Sequence, residues 1–179
     1  ELIEFYVQQQ FARIKTPSSR FALTTLPVEG FPSLQTEQFE NHYRMSLVQL
    51  KELLERSQFA MAVQDVRAFL NGMLLEFEQD SLRAVATDAH RLALCEKPIE
   101  RLAGNAEKKQ IILPRKGVTE LIRLLDSVDC QVEIGFNQNH FQVKLPKLQF
   151  TTKLVDGRYP EYQRVLPQGG SNLRKVERE

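Results

Sequence analysis

Two segments with helical spacing of apolar residues, each placed between strand-like segments, constrain the fold of this chain most strongly. The first is predicted to run from the N-cap Ser46 to about Ala62, and the second from Pro114 to about Asp126. Their apolar stripes consist of Leu47, Leu50, Leu53 and Leu54 in the first and Val118, Leu121, Ile122 and Leu125 in the second. Each segment follows a strand and precedes several strands, so the chain beyond Phe39 repeats one motif. This order predicts a duplicated α+β fold with two helices packed on antiparallel sheets.

The remaining elements are predicted to be short strands, because apolar and polar residues alternate between turn residues. Strands are expected at residues 1–7, 11–15, 20–25, 42–45, 73–78, 82–87, 91–95, 111–113, 131–136, 140–145 and 148–155. Residues 26–34 contain two prolines and a glycine and are predicted to form a linker, whereas residues 98–110 are predicted to form a charged loop. The three strands before the linker are too few to fold securely unless something covers their apolar face.

Charge, apolar content and cysteine content exclude several classes of protein. The 179 residues are 42% hydrophobic, enough for a sizeable core, but the apolar runs are far shorter than the roughly 20 residues of a membrane-spanning helix. Cys95 and Cys130 lie far apart, which argues against a disulfide framework or a zinc site and favours a reducing cytoplasm. Basic residues exceed acidic ones by 24 to 23, so any DNA contact is expected to be weak, local and salt-sensitive. The start at Glu1, without Met, is interpreted as a cut end.

A polar bend between the strands at 82–87 and 91–95 contains Thr87, Asp88, His90 and Arg91. These residues could form a catalytic cluster, the rim of a ligand-binding site or a hairpin turn with charged ends. The turn is favoured by these residues alone, because Asp before a strand reversal bonds its own local backbone. A small hydrolase or transferase using Asp88, His90 and Arg91 stays open as an alternative, as does an interaction module without a DNA role. The sequence shows no nucleophile motif and no metal-ligand spacing beside them, so no cofactor or metal is expected.

Several separate strings of residues carry a resemblance to a known family. They are Gln64-Asp65-Val66-Arg67, Leu70-Asn71-Gly72-Met73-Leu74, Val85-Ala86-Thr87-Asp88, His90-Arg91-Leu92-Ala93, Pro114-Arg115-Lys116-Gly117-Val118, Lys153-Leu154-Val155-Asp156-Gly157-Arg158-Tyr159-Pro160 and Arg164-Val165-Leu166-Pro167. Over essentially its whole length the chain resembles the bacterial sliding clamp, the beta subunit of DNA polymerase III. The resemblance implies that residues 1–34 end the first clamp domain, residues 35–167 form the complete middle domain and residues 168–179 begin the third.

The function implied by this resemblance is that of a non-enzymatic processivity factor in DNA replication. The family forms a homodimeric ring that encircles duplex DNA and slides on it without reading its sequence. Its partners are the DNA polymerase III catalytic subunit, the clamp loader, and the translesion and repair proteins that carry clamp-binding motifs. A near-neutral chain suits this role, because a ring that slides must hold DNA loosely. No membrane partner is implied, and the cytoplasm is the expected location.

The resemblance also assigns two sets of site residues. A groove of the family between its middle and third domains takes a short hydrophobic peptide, and the middle-domain half corresponds here to Leu70, Thr87, His90, Arg91, Leu92, Pro160, Arg164 and Val165. The apolar members can wall a recess, and the basic ones can bond the backbone of an extended peptide. The candidates for facing DNA are Gln64, Arg67, Arg115, Lys116 and Arg123.

Two departures from the family pattern bear on these sites. Ala89 stands where many clamps have Gly, which would strain the bend if its backbone requires a positive φ. Ala68-Phe69 replaces a more aromatic pair near the expected DNA-facing loop. A DNA role for Gln64 and Arg67 therefore has less support than the groove.

Overall fold

The computed structural model describes residues 2–30, 38–105, 107–125, 130–167 and 169, and the chain divides into two compact units, Glu1–Glu37 and Gln38–Glu179. The first unit is an antiparallel sheet of β1 (Glu4–Gln8), β2 (Phe11–Lys15) and β3 (Arg20–Thr24), followed by a 3-10 turn at Val28–Gly30. Among the residues described in this unit, only Ala12 is buried, and aromatic side chains such as Phe5 and Phe21 are exposed. The described part of this sheet therefore encloses no core of its own.

The second unit repeats one order of elements, a strand followed by a helix and further strands. The first repeat consists of β4 (Asn41–Ser46), α1 (Leu47–Gln58), β5 (Gly72–Phe77), β6 (Ser81–Thr87), β7 (Leu92–Pro98) and β8 (Glu100–Ala103). The second consists of β9 (Lys109–Pro114), α2 (Arg115–Leu124), β10 (Gln131–Phe136), β11 (His140–Leu145) and β12 (Leu148–Lys153). Short 3-10 turns lie at Ala68–Asn71, before β5, and at Tyr162–Val165, after β12. In the parts of the chain that the structure describes, no helix is long and apolar enough to cross a membrane.

The two helices pack against each other and against two antiparallel sheets, whose strand orders are β12-β11-β10-β4-β8 and β7-β6-β5-β9. The predicted apolar stripes face this core, where Leu50 and Leu121 are fully buried. Phe77 of β5 lies close to Tyr43 of β4 and Phe136 of β10, with ring centres 4.8 and 4.6 Å away. The two sheets therefore share one core. The predicted α+β fold with a duplicated motif is confirmed.

One strand lies where the sequence predicted a loop. Within residues 98–110, β8 forms an edge of the larger sheet by pairing with β4 through a bulge between His42 and Tyr43. Charged residues are common on edge strands because they discourage pairing with other chains. The adjacent charged residues Glu100 and Arg101 interrupt the alternation of apolar and polar residues by which a strand is predicted. The loop prediction was therefore wrong at these residues.

The first helix is shorter than predicted and ends at Gln58 rather than near Ala62. The N–H groups of Ala60 and Met61 bond carbonyls only three residues back, which tightens the chain into a turn. The N–H of Ala62 then bonds the carbonyl of Leu70 at 3.0 Å, so the backbone leaves the helix to meet the 3-10 turn before β5. The expected end of the second helix at Asp126 and the linker beyond residue 30 lie outside the described residues.

The inner strand β5 of the four-stranded sheet is buried on both faces, which explains its nearly continuous apolar run. Met73, Leu75 and Phe77 pack in the core shared with the helices. Leu74 and Glu76 point to the opposite face, because successive side chains of a strand alternate between faces. The sheet therefore needs a second cover, which the chain after β12 supplies.

We call residues 154–167 the return segment, because they run back across this opposite face of the sheet. The Val155 N–H donates a hydrogen bond to the carbonyl of Ile112 in β9 at 2.9 Å, which joins the start of the segment to this sheet. Tyr159 and Tyr162 then pack with Ile112 in a second apolar cluster on the sheet. The return segment thereby becomes one wall of the site described below.

Candidate functional site

Three separate segments of the second unit surround a cavity of about 500 Å³. They are the 3-10 turn before β5, the bend between β6 and β7, and the return segment. The cavity is lined by Arg67, Phe69, Leu70, Thr87, Ala89, His90, Arg91, Leu92, Pro160, Glu161, Tyr162 and Val165. The structure thus brings together every predicted groove residue except Arg164. Their role as a peptide groove stays a prediction.

The cavity combines buried apolar side chains with a basic rim. Leu70 is 2% exposed, Leu92 is half-buried, and Tyr162 contributes a buried ring. His90 and Arg91 are exposed at the rim. A recess of this kind suits an extended peptide that inserts an apolar side chain and offers backbone groups to the charged edge.

The bend between β6 and β7 is closed by its own side chains. Asp88 Oδ1 accepts hydrogen bonds from the N–H groups of His90 and Arg91, both at 3.0 Å, and Oδ2 accepts one from Arg91 Nε at 3.0 Å. Thr87 Oγ1 donates to the Arg91 carbonyl at 2.7 Å and accepts from the Ala89 N–H at 3.1 Å. The N–H groups of Arg91 and His90 hold the pKa of Asp88 below its usual value. The turn predicted from these residues is therefore present, and it also forms the rim of the cavity.

This geometry gives no support to a catalytic use of the bend. A carboxylate that orients a histidine base has to bond the imidazole ring, whereas Asp88 bonds the His90 backbone and the Arg91 guanidinium. Within the described residues, no group of three or more His, Cys, Asp or Glu side chains could hold a metal ion. The bonds to Asp88 instead fix where Arg91 and His90 stand on the rim.

Arg91 is held in place from two sides. Besides its bond to Asp88, its guanidinium carbon lies 5.6 Å from the centre of the Phe59 ring, a distance at which a cation is attracted to an aromatic face. Phe59 directly follows α1 and is 55% exposed. Sequence reasoning missed Phe59, because the contact joins residues from different elements and leaves no local pattern.

Ala89 adopts a left-handed backbone with a φ of 76°, so the bend does require the positive φ at which strain was expected. A Cβ in this region crowds the neighbouring carbonyl, and Gly avoids that contact. We expect Ala89→Gly to raise the free energy of unfolding by about 0.5–1 kcal/mol, measured by urea denaturation. Ala93, in the adjoining strand β7, is the matched control, because Ala93→Gly should lower the same quantity. A loss of stability in Ala89→Gly would contradict the strain.

Tyr159 fastens the return segment to the bend. Its hydroxyl accepts a hydrogen bond from the Thr87 N–H at 3.1 Å, and its ring meets Phe69 edge-on with 6.5 Å between ring centres. Burial raises the pKa of Tyr159 to about 12, although the bond from Thr87 acts in the opposite direction. Tyr159 thus joins all three segments that surround the cavity.

Two predicted residues differ from their assignment in whether they line the cavity. Arg164, predicted for the groove, is not among the lining side chains; its side chain is 80% exposed and pairs with Glu161 at 2.6 Å. Arg67, predicted to face DNA, lines the cavity, and its Nη2 donates to Asp65 Oδ2 at 2.9 Å. Hydrogen bonds from the side chain and backbone of Arg67 lower the pKa of Asp65 to about 2, so this pair is charged at neutral pH.

The other candidates for facing DNA have different surroundings. Gln64 is exposed and has a φ of 56°. Arg115 is half-buried, and its Nη1 donates to a backbone carbonyl of the turn after α1 at 2.9 Å. Lys116 and Arg123 are exposed on α2, where Arg123 pairs with Glu120 at 3.2 Å. Lys116 and Arg123 keep the exposure that a phosphate contact needs, whereas Arg115 is engaged within the fold.

Four further residues of the cavity, Phe69, Ala89, Glu161 and Tyr162, were not among the residues predicted for either site. A signal for two of them was present, because Glu161 and Tyr162 stand between two strings that carry the family resemblance. Phe69 directly precedes a predicted groove residue but was assigned to the DNA-facing loop. The lining of the cavity therefore includes residues beyond those predicted for it.

Comparison with known proteins places most of this chain in one family. The family model for the central domain of the DNA polymerase III beta subunit matches residues 44–161. The beta sliding clamp of Pseudomonas aeruginosa is 44% identical over 172 residues, which are 96% of this chain and 46% of that protein. The beta sliding clamp of Escherichia coli is 46% identical over 154 residues, which are 86% of this chain and 41% of that protein. The chain spans less than half the length of these relatives.

Solved structures of such proteins share the fold. The DNA polymerase III subunit beta from Pseudomonas aeruginosa superposes with a TM-score of 0.86 at 43% identity, over 94% of this chain and 46% of that chain. A sliding clamp from Bartonella birtlesii, solved bound to griselimycin, superposes with a TM-score of 0.85 at 36% identity, over 93% of this chain and 45% of that chain. With a family match over well more than half of its residues, the chain belongs to the DNA polymerase III beta subunit family, the beta sliding clamps.

Proposed function

We propose that this chain is part of a sliding clamp, a homodimeric ring that encircles duplex DNA and tethers the replicative polymerase and other clamp-binding proteins. The relatives are sliding clamps and not catalytic enzymes, which agrees with the prediction of an accessory subunit. The assignment of residues 1–34, 35–167 and 168–179 to three successive clamp domains belongs to the same proposal. A cytoplasmic location, where replication subunits act, belongs to it as well.

The observation that carries the proposal is the assembly of one cavity from segments that are far apart in the sequence. Leu70, Leu92 and Val165 come from the 3-10 turn before β5, from β7 and from the return segment, yet all three line the same recess. The family resemblance assigns all three to a common groove. Their convergence supports the use of this cavity as a binding site.

We expect the cavity to take a short, extended peptide through an apolar side chain. Leu70, Leu92 and the ring of Tyr162 would surround that side chain and remove its surface from water, which stabilises binding by about 25 cal/mol per Å². His90 and Arg91 would bond carbonyl or glutamine groups of the peptide from the rim. Arginine beside apolar anchors is a frequent combination in residues that dominate binding energy.

The proposed contact with DNA is loose. The chain carries a net charge of +1, and Lys116 and Arg123 on α2 are exposed. A protein that neutralises few phosphates binds DNA weakly and gains little from any particular sequence. Such contacts are compatible with a ring that owes its hold on DNA to topology.

The experiment that tests the groove is a fluorescence-anisotropy titration of a labelled clamp-binding hexapeptide with this chain. We expect saturable binding with a Kd of about 10–1000 μM. Leu92→Ala should weaken it about tenfold, equivalent to about 1.4 kcal/mol, because it removes apolar contact area from the cavity. Leu94→Ala is the matched control, since Leu94 lies two residues further along β7 and is not among the lining residues. An absence of saturable binding, or an equal loss in both variants, would argue against the site.

A further inference from the structure

A row of polar side chains crosses the face of the sheet that the return segment covers. Glu76 of β5 lies opposite Arg83 of β6 and Gln110 of β9, and Arg83 in turn lies opposite Glu96 of β7. The row directly beside it is apolar and contains Leu74. The polar row is therefore continuous across all four strands, and its centre lies under the return segment.

Glu76 is the buried centre of this row. Its side chain is 0% exposed, and Oε1 accepts hydrogen bonds from Arg83 Nη1 at 2.8 Å and from the Tyr162 hydroxyl at 3.0 Å. Lys108 Nζ also lies 2.7 Å from Oε1, and Gln110 Nε2 donates to Oε2 at 2.7 Å. A buried carboxylate needs such partners, because an uncompensated charge inside a protein is costly.

The balance of these interactions keeps Glu76 ionised. Burial would raise the pKa of Glu76, but the hydrogen bonds from Lys108, Gln110 and Tyr162 outweigh it and leave the pKa below the usual value. At neutral pH the Tyr162 hydroxyl therefore donates to a carboxylate, and a hydrogen bond to a charged acceptor is stronger than one between neutral groups.

Tyr162 connects this buried row to the cavity. Its ring lines the cavity, whereas its hydroxyl points into the row, where it donates to Glu76 and accepts from Arg83 Nη1 at 3.2 Å. The 3-10 turn that begins at Tyr162 also carries Val165, another lining residue. This part of the wall is thus tied to the sheet by the hydrogen bonds of one hydroxyl group as well as by the packing of the Tyr162 ring.

We infer that Glu76 and Arg83 are positioning residues for the proposed groove, and that they act through the Tyr162 hydroxyl to fix the wall against which an apolar peptide side chain packs. The inference rests on the proposed function of the cavity. It assigns a binding role to Glu76 and Arg83, which line no part of the cavity and contact the hydroxyl end of the Tyr162 side chain. It differs from a purely structural role, in which the packing of the Tyr162 ring on Leu74 and Ile112 would hold the wall without the hydroxyl.

The test is Tyr162→Phe, which removes the hydroxyl and keeps the ring that contacts the apolar cluster. Two labelled hexapeptides are titrated against the chain, one with its apolar anchor residue intact and one with that residue replaced by Ala. We expect Tyr162→Phe to weaken the first peptide about fivefold to tenfold and the second much less, because a displaced wall loses contact with the anchor. A general loss of folded protein would instead weaken both peptides by the same factor.

A second measurement examines the wall without any peptide. Amide hydrogen exchange of Arg164, whose N–H bonds the carbonyl of Glu161, should accelerate at least about fivefold in Tyr162→Phe. Tyr43→Phe is the matched control, because Tyr43 is a buried tyrosine of the core shared by both sheets and lines no part of the cavity. It should leave both peptide selectivity and the exchange of Arg164 unchanged.

The outcomes separate the inference from the proposed function. If the unmodified chain binds the intact peptide and Tyr162→Phe changes neither selectivity nor exchange, the inference is overturned. If the unmodified chain fails to bind, the proposed function fails, and the exchange of Arg164 still decides whether the hydroxyl fixes the wall.

In a Glu76→Gln and Tyr162→Phe double variant, the effect of Glu76→Gln on selectivity should vanish once the hydroxyl is absent. Additive effects would also overturn the inference.

Discussion

Glu76→Ala is expected to lower the free energy of unfolding by about 2–4 kcal/mol, because it removes a fully buried acceptor from the donors that surround it. Arg83, whose side chain is 23% exposed, loses the acceptor that faces it across the strand pair. Tyr162, which is 3% exposed, loses the acceptor of its hydroxyl as well, and a buried donor left without its acceptor adds a desolvation penalty. The difference between the variant and the unmodified chain is measured by urea unfolding followed by circular dichroism.

The matched control is Glu96→Ala, which removes the other carboxylate bound to Arg83. Glu96 Oε2 lies 2.7 Å from Arg83 Nη2, but the Glu96 side chain is 41% exposed. Partly exposed ion pairs contribute about 1 kcal/mol or less, because water replaces the lost partner. Similar losses of stability in Glu96→Ala and Glu76→Ala would contradict the assignment of the effect to burial.

In alkaline solution, Tyr159 alone is expected to remove about 2–3 kcal/mol from the free energy of unfolding between pH 10 and pH 12. Burial raises the pKa of Tyr159 from 10 to about 12 in the folded chain, so folding favours the neutral hydroxyl. Its contribution is fully present below the pKa of the unfolded chain, near 10, and is lost as the pH rises through the folded value. The free energy of unfolding falls as the pH rises, because the Tyr159 hydroxyl loses its proton at a lower pH in the unfolded chain than in the folded one.

The measurement compares unfolding of the unmodified chain and of Tyr159→Phe at intervals across this pH range. The variant should lose less stability than the unmodified chain, by the amount that Tyr159 contributes. Burial also raises the pKa values of Tyr43 and Tyr162, and those contributions remain in both proteins and cancel in the comparison. Parallel pH dependences would show that the Tyr159 hydroxyl does not titrate differently in the two states.

Local spacing was enough to predict the parts of the fold that depend on one segment at a time. The apolar stripes of both helices follow from the intervals between leucine and valine residues, and Leu50 and Val118 are buried as that spacing predicts. The bend at Asp88 follows from the tendency of Asp to bond its own backbone, which it does here. Most residues that line the cavity could be assigned to one site because the strings around them resemble those of a family.

Features that depend on distant pairing could not be predicted in this way. Glu76 occupies a polar position of a strand, where solvent exposure is the usual expectation, yet it is buried by Tyr162, 86 residues further along the chain. Arg67 is a candidate for facing DNA, and its place in the lining of the cavity depends on the bend and the return segment, which come from other parts of the chain. In both cases the deciding contact is set by the packing of another segment.

The self-contained hydrogen bonds of the bend have a kinetic consequence. Because Asp88 and Thr87 close the bend from within, the rim has its shape before any peptide arrives. Binding then requires no ordering of this loop, and the loss of conformational freedom is confined mainly to the peptide. Under the proposed function, partners would associate at rates set by their encounters, and their residence times would depend on how fast each one leaves. Successive partners could therefore replace one another at a single site without waiting for that site to form.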